Sequence, residues 1–300
     1  MSPVAWPAMD RLLSAHVAEL RRTLAVRVVY SDMDGTMLGR GGSFIHGPDG
    51  LLTDEPAAVL LAAAERGVEI VPATGRSLRG LLGDARILGL QTVIAEMGAL
   101  IAYDVGREVI TNLGAYPGGE EAPVAYMERT GAVALLFDAF AGRVEHHTPW
   151  AAWREYTHLL RGLVDTVEAD RVLQEGGFEW LTLQDNGLLS RGYLGLEAGT
   201  VHAYHLLPRG MDKGSAVALD MTRRGYAHEE VIAVGDAIAD LSMAAHVGAL
   251  ILVGDAVAAD RGLAEAAERI PNVYVSSRPG NLGWCDVLRS LVLDASASSS

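Results

Sequence analysis

The sequence contains a single cysteine, Cys285, and no continuous stretch of 18 apolar residues in its 300 positions. A lone cysteine excludes an internal disulfide and a cysteine-rich metal site. Because no long apolar stretch is present, we expect no membrane-spanning helix. The first 25 residues carry several charges and no continuous apolar segment, so we also expect no signal peptide and a cytoplasmic protein.

Basic residues are scarce as well. The chain has 24 Lys and Arg against 38 Asp and Glu, which gives a formal net charge of −14. This excess of negative charge argues against a nucleic acid or an anionic membrane as the partner. A small anionic substrate is still compatible with it, because one local pocket can oppose the overall sign. Half of the residues are hydrophobic and 21% are charged, as in an ordinary globular protein.

Lys213 is the single lysine among the 24 basic residues. An ammonium group is a compact point charge and is not interchangeable with a planar guanidinium. A lysine in a chain that otherwise uses arginine is therefore expected where arginine cannot replace it, although chance is the other explanation. Lys213 also falls in the first turn of a predicted helix, where the helix dipole disfavours a cation by about 0.3–1 kcal/mol. It needs a compensating anion, for which Asp32, Asp240 and a bound phosphate are the candidates.

Short apolar segments alternate with helical ones through most of the chain. Such alternation predicts an α/β fold with a doubly wound parallel sheet. A further apolar pair, 92–95 and 100–103, is expected to form a strand and its hairpin partner. The segments expected to form the buried parallel strands are 26–31, 68–72, 231–234, 249–253 and 273–275.

The alternation is interrupted between residues 106 and 206. A helical stretch around 150–164 mixes there with strand-like runs at 133–137, 180–184, 192–196 and 201–205. We interpret this segment as an inserted α+β cap domain, with 1–105 and 207–300 as the core and 296–300 as a disordered tail. Because ligands bind at the carboxyl ends of the strands in open α/β sheets, the cap is expected to cover that edge.

Polar side chains follow several of the predicted strands. Asp32 and Asp34 are two positions apart on an extended chain, so their carboxylates point the same way and repel unless a cation lies between them. Asp236 follows another strand and supplies a third oxygen ligand, and oxygen-rich sites of this kind suit Mg²⁺. After a further strand, the hydroxyl of Thr74 and the amide of Gly75 can bind an anionic oxygen.

Each of these segments is ordinary when taken alone. Asp34-Gly35 is typical of a turn, Thr74-Gly75 of a strand-to-helix connection, and Asp240 of a solvated helix residue. Their joint placement at strand ends favours a site that handles a phosphate group with the help of a divalent cation.

The same residues carry a resemblance to a known family. The segments Asp32-Met33-Asp34-Gly35-Thr36, Thr74, Lys213 and Gly235-Asp236…Asp240 resemble, in this order, the four motifs of the haloacid dehalogenase superfamily of phosphohydrolases. The segment 93–101 is similar to the Asn-Gly-Ala segment of its Cof-like and sucrose-phosphate-phosphatase-like branch, with Met97 where that branch has Asn. That branch carries a C2-type cap between its second and third motifs, and its core is Rossmann-like.

The resemblance implies a Mg²⁺-dependent phosphatase that acts on a small phosphorylated metabolite, in particular a sugar phosphate. Asp32 would then be the nucleophile that forms an aspartyl-phosphate, and Asp34 the general acid and base. Thr74, Gly75 and Lys213 would hold the phosphoryl oxygens, with Lys213 also counted among the catalytic residues.

The resemblance also implies a metal site. Mg²⁺ would be bound by Asp32, the backbone carbonyl of Asp34 and Asp236, and Asp240 would support the metal site or hold Lys213. Two other functions stay open at this point: a sugar phosphomutase of the phosphomannomutase type, and a non-catalytic binding protein on the same scaffold.

The cap sequence offers few clues to the substrate. It contains aromatic and polar residues that suit a sugar ring, such as Trp150, Trp153, Trp180 and Asn186. The spacing of Trp150 and Trp153, three positions apart, is however more typical of rings that face a core.

Overall fold

The computed structural model describes residues 11–189, 196 and 201–293. Its strands, in chain order, are β1 (Val28–Ser31), β2 (Glu69–Pro72), β3 (Val93–Ala95), β4 (Leu100–Tyr103), β5 (Glu108–Thr111), β6 (Val144–His146), β7 (His158–Gly162), β8 (Leu181–Leu189), β9 (Val201–Pro208), β10 (Val231–Gly235), β11 (Ala249–Leu252) and β12 (Val273–Val275). Its α-helices are α1 (Leu13–Thr23), α2 (Glu55–Glu65), α3 (Leu78–Leu88), α4 (Pro123–Thr130), α5 (Ala132–Ala139), α6 (Thr166–Glu175), α7 (Lys213–Arg224), α8 (Gly254–Ala259), α9 (Arg261–Glu268) and α10 (Gly280–Leu288).

The central sheet is parallel, with the strand order β12-β11-β10-β1-β2. An isolated parallel bridge between Ala73 and Ile94 continues it towards β3. Helices α1, α2, α3 and α10 pack on one face, and α7 and α9 pack on the other. This arrangement confirms the predicted α/β fold with a doubly wound parallel sheet.

The central strands are buried because their side chains alternate between two apolar layers. In β1, Val29 packs into the layer under α2 and α3, while Val28 and Tyr30 pack into the layer under α7. Successive side chains of a strand point to opposite faces, so a strand covered on both faces needs apolar residues at every position. Runs of this kind are what made the central strands recognisable in the sequence.

A small antiparallel sheet, β3-β4-β5, follows β2 along the chain. Its first two strands form the predicted hairpin over 92–95 and 100–103. The third strand, β5, pairs with β4 although it begins two residues after the predicted start of the insertion at 106. The predicted domain boundaries, 1–105, 106–206 and 207–300, stay predictions.

The second antiparallel sheet has the order β6-β7-β9-β8 and lies within the interrupted part of the chain. Helices α4, α5 and α6 pack against it around a hydrophobic cluster of their own, which includes Leu136, Phe140, Leu160 and Leu206. Sheet and helices therefore form the mixed α and β structure that the sequence predicts for this segment.

Two predicted elements of this segment are wrong. Residues 133–137 form part of helix α5 and not a strand; the buried side chains Val133, Leu136 and Phe140 follow helical spacing. Residues 150–164 contain strand β7 and not a helix, because β7 pairs with β6 and β9. Short apolar runs do not distinguish a helix from a strand, and here the long-range pairing decided.

Some expectations fall on residues outside those that the structure describes. These are the disordered tail at 296–300 and most of the strand predicted at 192–196. Within the described ranges, no helix combines the length and the apolar character needed to cross a membrane.

Candidate active site

Two acidic segments follow two adjacent parallel strands at one edge of the central sheet. The last residue of β1, Ser31, is in register with Val234 of β10 and with Pro72 of β2. Asp32 and Asp236 come one and two residues after these paired positions. The register of the sheet therefore brings the first and fourth sequence motifs to the same place.

Lys213 extends from the first turn of α7 to this edge and is buried there. Its Nζ donates one hydrogen bond of 2.7 Å to Oδ1 of Asp32 and another of 2.7 Å to Oδ1 of Asp240. Burial by itself lowers the pKa of Lys213, but the charges of Asp240 and Asp32 outweigh burial and raise that pKa above its usual value. The compensating anions expected for this lysine are thus two carboxylates.

Asp240 organises the turn after β10. Its Oδ2 accepts hydrogen bonds from the backbone N–H groups of Asp236 (2.9 Å) and Ala237 (3.0 Å), while its Oδ1 accepts from Lys213. Gly235 has to lack a side chain, because a Cβ there would collide with the Asp240 carboxylate. Since both oxygens of Asp240 already accept N–H donors, its position suits the holding of Lys213 better than the binding of a metal.

The acidic group fits a divalent cation. One carboxylate oxygen from each of Asp32, Asp236 and Asp240 lies within 4.8 Å of the others. Three carboxylates and the ammonium of Lys213 leave a formal charge of −2. Oxygen ligands of this kind suit Mg²⁺, which neutralises that charge. The residues present therefore agree with the ion that the family resemblance implies.

The carboxylate of Asp236 has no hydrogen-bond donor among the described residues. Burial, followed by the charge of Asp32, raises the pKa of Asp236 well above its usual range. Burial also raises the pKa of Asp32 to about 6, although the charge of Lys213 opposes this. Both shifts have the same main cause, which is that burial disfavours the charged form of a carboxylate, and the neighbouring carboxylates add to it.

Asp236 also packs directly against the loop after β1. Gly35 has a φ of +89°, and a Cβ at this position would collide with Oδ2 of Asp236. The peptide that joins Asp34 to Gly35 therefore lies beside Asp236. This places the backbone carbonyl of Asp34, the third expected metal ligand, at the edge of the acidic group.

The side chain of Asp34 lies apart from the buried carboxylates. Arg76 binds it through two hydrogen bonds, from Nε to Oδ2 (2.7 Å) and from an Nη to Oδ1 (2.6 Å), and also donates to Asp84 (2.7 Å). The sequence analysis gave Arg76 no role. Arg76 directly follows Thr74-Gly75, and this position was the available signal that it belongs to the site. Nothing in the neighbouring residues indicated that its partner is Asp34, 42 positions away.

Thr74 is buried at the end of β2, and Gly75 meets the cap directly. A Cβ on Gly75 would lie 2.6 Å from Nε2 of His205 and 3.2 Å from Nδ2 of Asn186. Both of these residues belong to strands of the four-stranded sheet. The absence of a side chain at Gly75 therefore lets that sheet close over the segment expected to bind phosphoryl oxygens.

A loop before β7 fastens the cap to the core. An Nη of Arg154 donates a hydrogen bond of 2.6 Å to the carbonyl oxygen of Gly75. The same loop also donates to Glu96, whose buried Oε2 accepts hydrogen bonds of 3.1 Å from the backbone N–H groups of Tyr156 and Thr157. The sequence analysis gave neither Arg154 nor Glu96 a role.

The aromatic candidates of the cap behave differently from expectation. Trp150 is 68% exposed and Trp153 is 76% exposed, so the prediction that their spacing makes them face a core is wrong. The ring of Trp153 lies 4.9 Å from the guanidinium of Arg79. Trp180 packs against two tyrosines of the cap, at ring distances of 5.7 Å and 5.6 Å.

Solved structures similar to this one show the same fold. A protein of Thermoplasma acidophilum superposes with a TM-score of 0.60 at 17% identity, covering 89% of this chain and 99% of that one. The sucrose-phosphatase of Synechocystis, solved with sucrose and phosphate, superposes with a TM-score of 0.59 at 14% identity, covering 88% of this chain and 97% of that one.

Sequence comparison agrees with the fold. A protein of Pyrobaculum neutrophilum named phosphoglycolate phosphatase is 28% identical over 249 residues, which are 83% of this chain and 92% of the relative. The sequence model of the haloacid dehalogenase-like hydrolases matches residues 29–130 and 196–270, more than half of the chain. This protein, with its motif residues gathered at one sheet edge, belongs to the haloacid dehalogenase-like hydrolase family.

Proposed function

We propose that this hydrolase is a Mg²⁺-dependent phosphatase that acts on a small phosphorylated metabolite through an aspartyl-phosphate on Asp32. The observation that carries the proposal is the group of three carboxylates around Lys213 at the carboxyl ends of the parallel strands. Its charge of −2 suits a cation, and its position beside Thr74 and Gly75 suits a phosphoryl group.

In the first step an oxygen of Asp32 attacks phosphorus, the Asp32–phosphorus bond forms, and the bond from phosphorus to the alcohol oxygen breaks. Asp34, which Arg76 holds in this structure, leaves that pairing in protonated form and gives its proton to the departing alcohol. In the second step a water molecule gives its proton to Asp34 and attacks phosphorus, which releases phosphate and restores Asp32. Because Lys213 donates to Oδ1 of Asp32, this interaction fixes the orientation of the nucleophile.

The remaining residues hold the phosphoryl group. The Thr74 hydroxyl, the Gly75 amide and the Lys213 ammonium would donate to its oxygens, and positioning with charge neutralisation is most of what phosphoryl transfer requires. Mg²⁺ bound by Asp32, Asp236 and the Asp34 carbonyl would supply the charge that lets an anionic nucleophile approach an anionic ester. Asp240 positions Lys213 and the turn that carries Asp236.

Two substrate classes are supported by the comparisons. The Pyrobaculum relative is named for phosphoglycolate, and the Synechocystis structure is a sucrose-phosphatase. Both are small phosphate monoesters. Side chains of the cap reach Gly75, directly beside the expected phosphoryl site, which favours a small molecule over a polymer.

The test is release of inorganic phosphate from a panel of phosphorylated acids, sugars and p-nitrophenyl phosphate, with Mg²⁺ present and no bisphosphate activator. We expect hydrolysis that EDTA abolishes and added Mg²⁺ restores. Full activity in excess EDTA would contradict the metal site. Isomerisation that depends on a bisphosphate, without net phosphate release, would instead indicate a mutase, and no turnover of any substrate would indicate a binding protein.

A further inference from the structure

The cap presents a charged side chain next to the expected phosphoryl site. The guanidinium of Arg154 donates to the carbonyl oxygen of Gly75 (2.6 Å), to the hydroxyl of Thr157 (3.0 Å) and to the carbonyl oxygen of Trp150 (3.1 Å). All three acceptors are uncharged. A guanidinium has five N–H groups, so two of them have no acceptor among the described residues.

No carboxylate within the described part of the chain forms an ion pair with Arg154. The nearest acidic group, Glu96, uses its Oε2 for the backbone of Tyr156 and Thr157. Burial lowers the pKa of Arg154 to about 10, and the charge of Glu96 only partly opposes this. The side chain is still charged at neutral pH, so a partly desolvated cation lies at this position with Glu96 as its acidic neighbour but with no ion pair among the described residues.

The cap side chains that lie beside Arg154 at Gly75 add no negative charge to that of Glu96. Burial, followed by the charge of Arg154, lowers the pKa of His205 well below its usual value, so the His205 ring is neutral. Its Nε2 and the Nδ2 of Asn186 both approach Gly75. The lining of the cap at this point is therefore polar and carries a net positive charge.

Arg154 is also held in place. Glu96 fixes the backbone at 156 and 157, and the hydroxyl of Thr157 accepts a hydrogen bond from Arg154 while lying 3.2 Å from Nδ1 of His205. A cation that is positioned before the ligand arrives loses less entropy on binding it. Such an arrangement is typical of a recognition site.

We propose that Arg154 binds a carboxylate of the substrate, so that the preferred substrate is a short phosphorylated carboxylic acid and not a neutral sugar phosphate. The two free N–H groups of a guanidinium match the two oxygens of a carboxylate. Gly75 contacts Arg154 through its carbonyl oxygen and directly follows Thr74, and one residue spans at most about 3.6 Å. The guanidinium therefore lies beside the residue that follows Thr74, which suits a substrate whose carboxylate and phosphoryl group are only a few bonds apart. The inference rests on the proposed phosphatase function.

The experiment compares 2-phosphoglycolate with 2-hydroxyethyl phosphate, which has the same two-carbon chain and a hydroxymethyl group in place of the carboxylate. We expect the native protein to prefer 2-phosphoglycolate in kcat/KM. Arg154→Gln should reduce this preference by about 10- to 100-fold, the range for losing charged hydrogen bonds, mainly through KM. Arg154→Lys should give an intermediate value because it keeps the charge without the planar fork.

The matched control is Arg171→Gln, which removes another arginine of the cap whose partner is the exposed Glu175. It should leave the ratio of the two kcat/KM values unchanged. If Arg154→Gln lowers turnover of both substrates by the same factor, Arg154 only fastens the cap and the inference is overturned. No preference for 2-phosphoglycolate in the native protein overturns it as well.

A binding measurement separates this inference from the phosphatase proposal. Asp32→Asn is titrated with 2-phosphoglycolate in the presence of Mg²⁺, alone and combined with Arg154→Gln. If adding Arg154→Gln weakens the binding of 2-phosphoglycolate and changes the binding of 2-hydroxyethyl phosphate little, the carboxylate site is supported even though this variant has no turnover. If p-nitrophenyl phosphate is hydrolysed but Arg154→Gln does not change the binding of 2-phosphoglycolate, the inference about Arg154 is refuted and the proposed phosphatase function is not. If no ester is hydrolysed, the proposed function is refuted.

Discussion

At the edge of the parallel sheet three carboxylates surround a single lysine, whereas on the cap loop that faces this edge an arginine has no carboxylate partner among the described residues. The core side therefore has excess negative charge, and the cap loop carries a guanidinium that forms no ion pair. The two do not neutralise each other, because Arg154 donates to the Gly75 carbonyl and not to the acidic group. In the function proposed above, the core side would bind a divalent cation and Arg154 an anionic group of the substrate.

The largest effect is expected from a change of the proposed nucleophile on the core side. Asp32→Asn should lower kcat by more than about 10⁴-fold, because nucleophilic residues act as a unit with their partners and their loss leaves only binding effects. The fold should persist, since the amide still accepts a hydrogen bond from Lys213. Phosphate release and thermal unfolding are the measurements. Retained turnover would show that another residue is the nucleophile. In either case the Asp32→Asn variant should still bind the substrate carboxylate through Arg154.

The lysine of the core side is the next test. Lys213→Arg should lower kcat by about 10²- to 10³-fold, the range for removing one charged stabilising group from a reacting oxygen. The charge stays, but the larger planar guanidinium does not fit where a compact ammonium donates two hydrogen bonds of 2.7 Å in a buried pocket. The exposed change Arg223→Lys on the same helix is the control. Near-normal turnover of Lys213→Arg would show that charge alone suffices.

The smallest effect concerns stability and pH. In the protein without a cation, burial and the charge of Asp240 raise the pKa of Asp32 to about 6 despite Lys213. The folded protein then binds this proton more tightly than the unfolded chain, whose aspartates titrate near about 4. The free energy of unfolding of the cation-free protein therefore falls as the pH rises from about 4 to about 6. Above pH 6 it stays at the lower value.

Bound Mg²⁺ stabilises the folded state by mass action and competes with this proton. The increase in Tm on adding Mg²⁺ should thus be several degrees larger at pH 7.5 than at pH 4.5, measured by calorimetry against EDTA. Asp236→Asn removes one of the carboxylates and should diminish the difference. Equal Tm shifts at the two pH values would contradict the charge imbalance on the core side.

The core side was largely predictable because its signals are local. Each of the segments at Asp32, Thr74 and Asp236 follows a strand whose apolar run is readable in the sequence, and parallel strands end at a common edge. In the inserted segment, short apolar runs such as 133–137 do not distinguish a helix from a strand. The helix expected around 150–164 is also wrong, because β7 pairs there with β6 and β9.

The sequence by itself predicted that the acidic motifs and the lone lysine would meet, because strand ends follow from short-range patterns and parallel strands end at a common edge. The order of the strands came from the structure. Only the tertiary structure showed that Arg76 binds Asp34, that Arg154 reaches Gly75 and that Glu96 holds the cap loop, across separations of 42, 79 and 60 residues. The first contact depends on how loops of the core fold together, and the other two depend on how the cap loop meets the core. No local periodicity encodes either arrangement, so the partner of an arginine becomes visible only once the chain is folded.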